Sequence, residues 1–198
     1  MIHEQKLIKK YKEEFDKIYI NRPDKKGVGS SRYTNCFWLY AIVKELDLTL
    51  IVESGTWKGQ SSWIMRQADG TVPIMCFDVS FDNLRWRDPS THNTFYGQYD
   101  WIKYTWTDMT HVNCIIFFDD HISQKQRLQE AYDRGFKQLI FDDNIPDIMV
   151  KIKKNPPSPT LQQLYVSRDP IIKLIKNYQI LTHFNDEPNT YLTYVELI

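Results

Sequence analysis

The sequence predicts a single α/β domain on a mostly parallel sheet, and three observations carry that reading. Short apolar runs rich in β-branched residues alternate with segments of helical period, in the order strand, helix, strand. Each of four such runs stops at acid: Glu53, Asp78, Asp119 with Asp120, and Asp142 with Asp143. The last two segments, YQILTHF and TYLTYVELI, flank the turn-forming stretch NDEPN and read as a β-hairpin. A parallel sheet built by right-handed crossovers and closed by an antiparallel hairpin follows.

Taken in order, Ile2, Leu7, Ile8, Tyr11, Phe15, Ile18 and Tyr19 recur at helical spacing, so residues 2–20 read as an amphipathic helix with lysines on its wet face. NRPDKKGVGSS breaks that pattern, giving an N-terminal helix and linker over 1–32 and a core over 33–198. YTNCFWLYAIVKEL, 33–46, is apolar almost all round and reads as a helix buried against a sheet. LTLIVES, 48–54, has the composition of a central parallel strand. Residues 60–68 form a short helix and PIMCFDVS, 73–80, a second strand. The stretch 81–113 is aromatic without a clean period and gets no element. CIIFFDDH, 114–121, is a strand, ISQKQRLQEAYDRG a helix closed by Gly135, and KQLIFDDNIP, 137–146, another strand. KKNPPSPT, 153–160, reads as a loop, and Asp169–Pro170 as the cap and first residue of a helix over IIKLIKN.

Length and composition bound the function. With 198 residues the chain suits one domain with a substantial core. Its 25 basic and 25 acidic residues cancel, which removes the usual electrostatic footprint of a nucleic-acid or membrane-surface protein. No apolar run is long enough to span a bilayer, and the charged start MIHEQKLIKKYKEEF lacks a secretory pattern, so a cytoplasmic protein is expected. Cys36, Cys76 and Cys114 are far apart and odd in number, and read as reduced core thiols.

In open α/β sheets, ligands bind outside the carboxyl ends of the strands, where the strand order reverses. The four acidic strand ends are therefore candidate site residues, although an acid there also caps the helix that follows. In VESGTWKGQSS, Gly55 and Gly59 are spaced G-x-x-x-G, which matches neither a dinucleotide fingerprint nor a P-loop and disfavours a pyrophosphate. Gly55 permits a sharp turn and close approach to a ligand, and Glu53 can accept hydrogen bonds from an ammonium or hydroxyl group. Asp78 ends the next strand 25 positions on, where an acid can bond both ribose hydroxyls. A ligand with a ribose, a zwitterionic group and no phosphate fits, as S-adenosylmethionine does.

E-S-G-T-W-K-G-Q-S-S resembles motif I of class I S-adenosylmethionine-dependent methyltransferases, in the cephalosporin-hydroxylase-like and sugar O-methyltransferase branch. The resemblance runs from about Tyr33 to Ile198 and is strongest over 49–80 and 114–147. It implies a Rossmann-like, seven-stranded, mostly parallel sheet with helices on both faces and a final antiparallel hairpin. It also implies cofactor contacts from Glu53, Gly55, Thr56, Trp57, Gly59, Ser61, Ser62 and Asp78. VESGTWKGQSSW, LRWRD, FFDDH…RGF and LIFDDNIP together also resemble methyltransferase-like domains joined to glycan-building enzymes, including those of large algal viruses that methylate rhamnose. A sugar or glycan acceptor, fusion to glycosyltransferase domains and, for a viral chain, a host-cytoplasmic site are what this implies.

The branch further implies a divalent cation, with Asp119 or Asp120 and then Asp142 and Asp143 as ligands; D-D-H is tighter than the family's fourth-strand pattern and leaves the choice between Asp119 and Asp120 open. Physically, converging carboxylates need protonation or a cation, and hard oxygen ligands suit Mg²⁺ or Mn²⁺. For transfer to a sugar hydroxyl, His121 is the candidate general base, with Asp120 as competitor; His92 and His111 are weaker ones. Trp86, Tyr96, Tyr99, Trp101, Tyr104 and Trp106 could stack on sugar or adenine, or simply cover the sheet edge. Arg85 and Arg87 could meet an anionic substrate group, or pair with Asp82 or Asp88. Two other readings remain: a binding domain that kept the fold and lost turnover, and an NAD-linked oxidoreductase, which the absent third glycine disfavours.

Overall fold

The computed structural model describes residues 1–26, 30–90, 92–107, 109–110, 112–146, 149, 158–184 and 191–198. Seven strands form one sheet: β1 (Leu50–Ser54), β2 (Ile74–Phe77), β3 (Thr94–Gly97), β4 (Cys114–Phe118), β5 (Gln138–Phe141), β6 (Ile175–Ile180) and β7 (Thr193–Leu197). Their order is β3-β2-β1-β4-β5-β7-β6. The first five run parallel, and β7 is antiparallel to both β5 and β6. The order reverses between β1 and β4, so the crevice for a ligand opens at their carboxyl ends.

Helices cover both faces. On one side lie α1 (Glu4–Tyr19), α2 (Tyr33–Glu45) and α3 (Gln60–Ala68); on the other α4 (Gln124–Asp133) and α5 (Leu161–Ser167). Alternation along each strand sorts side chains between two cores. Ile51, Ile115, Phe117 and Ile140 join Phe15, Phe37 and Trp38 of the first helical layer. Val52, Ile116, Phe118, Leu139 and Phe141 join Leu128, Phe136 and Leu164 on the second. α2 is buried along nearly its whole length, from Thr34 to Val43, as its all-round apolar sequence requires. Cys36, Cys76 and Cys114 are buried free thiols. Among the described residues no helix is long and apolar enough to cross a membrane.

Three assignments differ from the sequence reading. The stretch without an element contains β3, whose short run TFYG pairs with β2 but is too brief to show a period. Its aromatics mostly seal the sheet: Trp101 is fully buried against Trp106, Phe118 and Phe136, and Tyr104 and Trp106 pack on Phe77. α5 begins straight after the predicted loop, on a Thr160–Gln163 capping box. The helix expected over IIKLIKN is only a 3₁₀ turn, Pro170–Leu174, started by Asp169 capping the Ile171 amide; from Ile175 the chain pairs with β7. The NDEPN turn, His111 and most of KKNPPSPT lie outside the described residues.

Candidate functional site

The turn after β1 begins at Gly55, at φ +94°, where a Cβ would lie 2.3 Å from the Asp119 carbonyl oxygen. Only glycine fits there, because the loops leaving β1 and β4 touch through their backbones. Trp57 follows at φ +48°, a conformation costly for a bulky residue. Its amide donates to Asp78 Oδ2 at 2.8 Å, so the acid that ends β2 fixes the turn. Asp78 Oδ1 takes the Ser80 amide. Beside them opens a cleft of about 460 Å³, lined among others by Gly55, Trp57, Asp78, Tyr99, Asp119 and His121. That volume suits a small ligand.

Five of the residues expected at the cofactor lie off this cleft. Glu53 shares the sheet face of Ile51, beneath α3, and is fully buried. The Ser62 hydroxyl donates to its Oε2. Burial pushes the Glu53 carboxyl up, against the pull of the Ser61 and Ser62 hydroxyls. Ser61, Ser62 and Thr56 are buried with it. Gly59, at φ +80°, meets protein rather than ligand: a Cβ would lie 2.3 Å from the Trp86 carbonyl oxygen.

The adjacent acids of D-D-H, just beyond the end of β4, differ in their partners. Asp120 takes the Ser54 hydroxyl at 2.5 Å and Arg127 at 2.8 and 2.9 Å. Arg127, 2% exposed, also reaches Asp100 and Glu130 at 2.9 and 2.7 Å. Asp120 is thus engaged by a buried guanidinium while still bordering the cleft. Asp119 and Asp120 both border a small space of about 10 Å³, together with Asp142, Asp143, His121 and Gln124, with room for roughly one water. Loss of water and then the charges of Asp142, Asp143, Glu53 and Asp120 push the Asp119 carboxyl well above its usual range.

The acidic pair ending β5 is braced from behind. Asn35 Nδ2 on α2 donates to Asp142 Oδ2 at 3.1 Å, and Gln124 Nε2 donates to the Asp142 carbonyl at 2.7 Å. Asp143, at φ +56°, lies 3.4 Å from His121 Nδ1, itself at φ +57°. His121 is half exposed and lines the cleft. Asn144 continues the brace through Tyr178, Thr193 and Gln162. Asn35, Gln124 and Arg127 carry no motif signal in the sequence, being single polar residues in helices; Asn144 lies within LIFDDNIP but is not singled out there. Among the described residues no group of three or more His, Cys, Asp or Glu side chains stands close enough to hold a metal ion. Asp119, Asp142 and Asp143 are neighbours around one space without forming a closed ligand set.

The arginines expected to meet an anion are occupied. Arg85 pairs with Asp24 at 2.7 Å, and Arg87 stacks on Tyr96 at 4.1 Å; Asp88 is held by Arg66. Of the six aromatics expected over the cleft, Tyr99 lines it.

The strand order, the antiparallel β7 and a cleft at the β1/β4 reversal decide the fold. It is the Rossmann-like fold of class I methyltransferases. No family model and no curated protein matches the sequence. Solved structures of this methyltransferase fold do match. A methyltransferase from Geobacter sulfurreducens superposes with a TM-score of 0.60 at 16% identity, over 85% of this chain and 80% of that one. The S-adenosylhomocysteine-bound methyltransferase PaMTH1 from Podospora anserina gives 0.58 at 12%, over 88% and 82%. The Mg-SAM structure of CmcI-D160 gives 0.54 at 15%, over 83% and 72%. At these identities the likeness concerns the methyltransferase fold.

Proposed function

We propose that this protein is an S-adenosylmethionine-dependent O-methyltransferase that acts on a sugar hydroxyl with help from a divalent cation. The observation that carries the reading is one cleft holding both halves of such a site: Gly55, Trp57 and Asp78 on one wall, Asp119 and His121 on the other. Support comes from the ligands named for neighbours of the same fold, S-adenosylhomocysteine in PaMTH1 and Mg with SAM in CmcI-D160. The donor chemistry agrees. Asp119 is crowded by carboxylates that a hard cation would relieve, and the acids lining the cleft can accept from a polyhydroxylated acceptor. A glycan-synthesis setting, with other domains on the same chain, extends the proposal from the sequence resemblance.

S-adenosylmethionine would supply a methyl group already activated on a sulfonium, and the cation a charge that orients the acceptor and acidifies its hydroxyl. The chain does the rest. Gly55 keeps the loops after β1 and β4 in backbone contact beside the cleft, and Asp78 offers its carboxylate to ribose hydroxyls while keeping the Trp57 turn in place. Asp119, Asp142 and Asp143 would hold the cation. Asp143 orients His121 through Nδ1, leaving the other ring nitrogen to take the acceptor proton. Alignment of the acceptor oxygen with the methyl group supplies much of the remaining rate.

Thermal unfolding with S-adenosylhomocysteine, with NAD, and with or without Mg²⁺ or Mn²⁺ tests this reading. Stabilisation by S-adenosylhomocysteine and not by NAD is expected, and its absence overturns the assignment. One observation favours a second reading, a binding domain without turnover: the acids do not close into a ligand set as they stand. A protein that binds S-adenosylhomocysteine but gains no stability from Mg²⁺ or Mn²⁺ and methylates no sugar acceptor would be that domain.

A further inference from the structure

The segment NRPDKK, between α1 and α2, holds a carboxylate that the site does not use. Asp24 is 1% exposed. Its Oδ2 accepts from the Ser30 hydroxyl at 2.6 Å and from Lys58 Nζ at 3.1 Å, and its Oδ1 from Arg85 at 2.7 Å. Its amide donates to Gln60 Oε1 at 3.1 Å. Burial alone would push this carboxyl up, but Ser30, Lys58 and Arg85 hold it down at about 2. One buried side chain therefore ties together the linker before α2, the turn after β1 and the loop after β2.

Lys58 lies in the middle of that turn. Trp57 before it and Gly59 after it both have positive φ, +48° and +80°. The Lys58 carbonyl accepts from the Arg85 and Trp86 amides, while Gly59 meets the Trp86 carbonyl, so the turn is clamped by backbone on its outer side. On its inner side Asp78 holds the Trp57 amide. A strained bulky residue keeps such a conformation only where its surroundings over-determine it. Asp24 and Asp78 grip adjacent residues from opposite sides, and Asp78 lines the cleft.

We propose that Asp24 is a positioning residue: through Lys58 it holds the Trp57–Gly59 turn in its ligand-ready shape and so sets the affinity for the adenosyl cofactor without touching it. This rests on the reading of the cleft as an S-adenosylmethionine site. A site shaped before binding does not have to be ordered by its ligand, and loosening the grip transfers that cost to affinity. Asp24 and Lys58 act through one contact, so their effects overlap rather than add.

Calorimetric titration of S-adenosylhomocysteine into the wild type, Asp24→Asn, Lys58→Met and the double variant tests this, at a temperature where circular dichroism shows each folded. Each single variant is expected to bind about tenfold or more weakly, with the double variant no weaker than the worse single one. The Trp57 backbone amide resonance is expected to move in every variant, which loss of global stability alone would not produce. Unchanged affinity in folded Asp24→Asn overturns the proposal, as does a double variant whose losses add. If Asp24→Asn does not fold, Lys58→Met carries the same test, because methionine keeps the apolar stem. A wild type that binds no S-adenosylhomocysteine overturns the cofactor assignment instead.

Discussion

Asn35 on α2 donates to Asp142 at the end of β5, across 107 positions of sequence, so the helical layer under the sheet holds one of the site's carboxylates. Removing this donor in Asn35→Leu leaves a buried carboxylate oxygen short of a partner. The expected cost is about 1–3 kcal/mol in urea unfolding. Asn35→Asp, which sets a further negative charge against Asp142, is expected to cost more, and added Mg²⁺ to recover part of it. Equal stability of Asn35→Asp and Asn35→Leu would overturn this expectation.

Gly55→Ala brings a methyl group onto the Asp119 carbonyl and forces alanine into positive φ. The expected loss is at least about 2 kcal/mol, read from the denaturation midpoint, together with loss of the S-adenosylhomocysteine-induced rise in melting temperature. A variant with normal stability and binding would mean that the β1 and β4 loops can separate.

His121→Ala and Asp143→Asn test the proton path. Each is expected to lower kcat for a sugar acceptor by about 10²-fold or more, with S-adenosylhomocysteine affinity nearly unchanged. Asp120→Asn is expected to act mainly on stability, because Arg127 already holds that carboxylate. A kcat loss in Asp120→Asn as large as in His121→Ala would return Asp120 to the role of base.

Arg127→Met leaves Asp100, Asp120 and Glu130 without their shared cation. Breaking a buried ion pair from one side costs about 3–5 kcal/mol, so the variant is expected to unfold at clearly lower denaturant. Glu130→Gln keeps the other two contacts and is expected to cost under half as much.

Asp24 gives a pH signature. Its folded-state pKa, about 2, lies below the ordinary 3.8, so its contribution is complete above about pH 4 and is lost as pH falls toward 2. Wild type and Asp24→Asn are therefore expected to converge in melting temperature between pH 4 and 2. A constant gap across that range would show that the Asp24 charge contributes nothing.

Of the parallel strands, β1, β2, β4 and β5 were legible because each is a compact apolar run that stops at acid, but what each acid does depends on partners that the run does not show. Asp119 and Asp120 look equivalent in sequence and both border the space shared with Asp142 and Asp143; what tells them apart is Arg127, seven positions on in a helix without a motif, which pairs with Asp120. Glu53 has the place of a ligand-binding acid in its motif, yet its position on the Ile51 face buries it beneath α3. β3 escaped notice because four residues show no period, and α5 because the Thr160–Gln163 box stands immediately after a proline-rich stretch. Asp24 looked like any loop acid, since its partners, Lys58 and Arg85, are distant in sequence.

The contact between Gly55 and the Asp119 carbonyl makes the spacing between the two walls of the cleft a property of the main chain. In the proposed reading, side chains such as Ile122 and Tyr99 can then be exchanged without moving the wall that Gly55, Trp57 and Asp78 form. The cleft has one fixed gauge and one replaceable face, and under the proposed function that face is the place to alter acceptor preference.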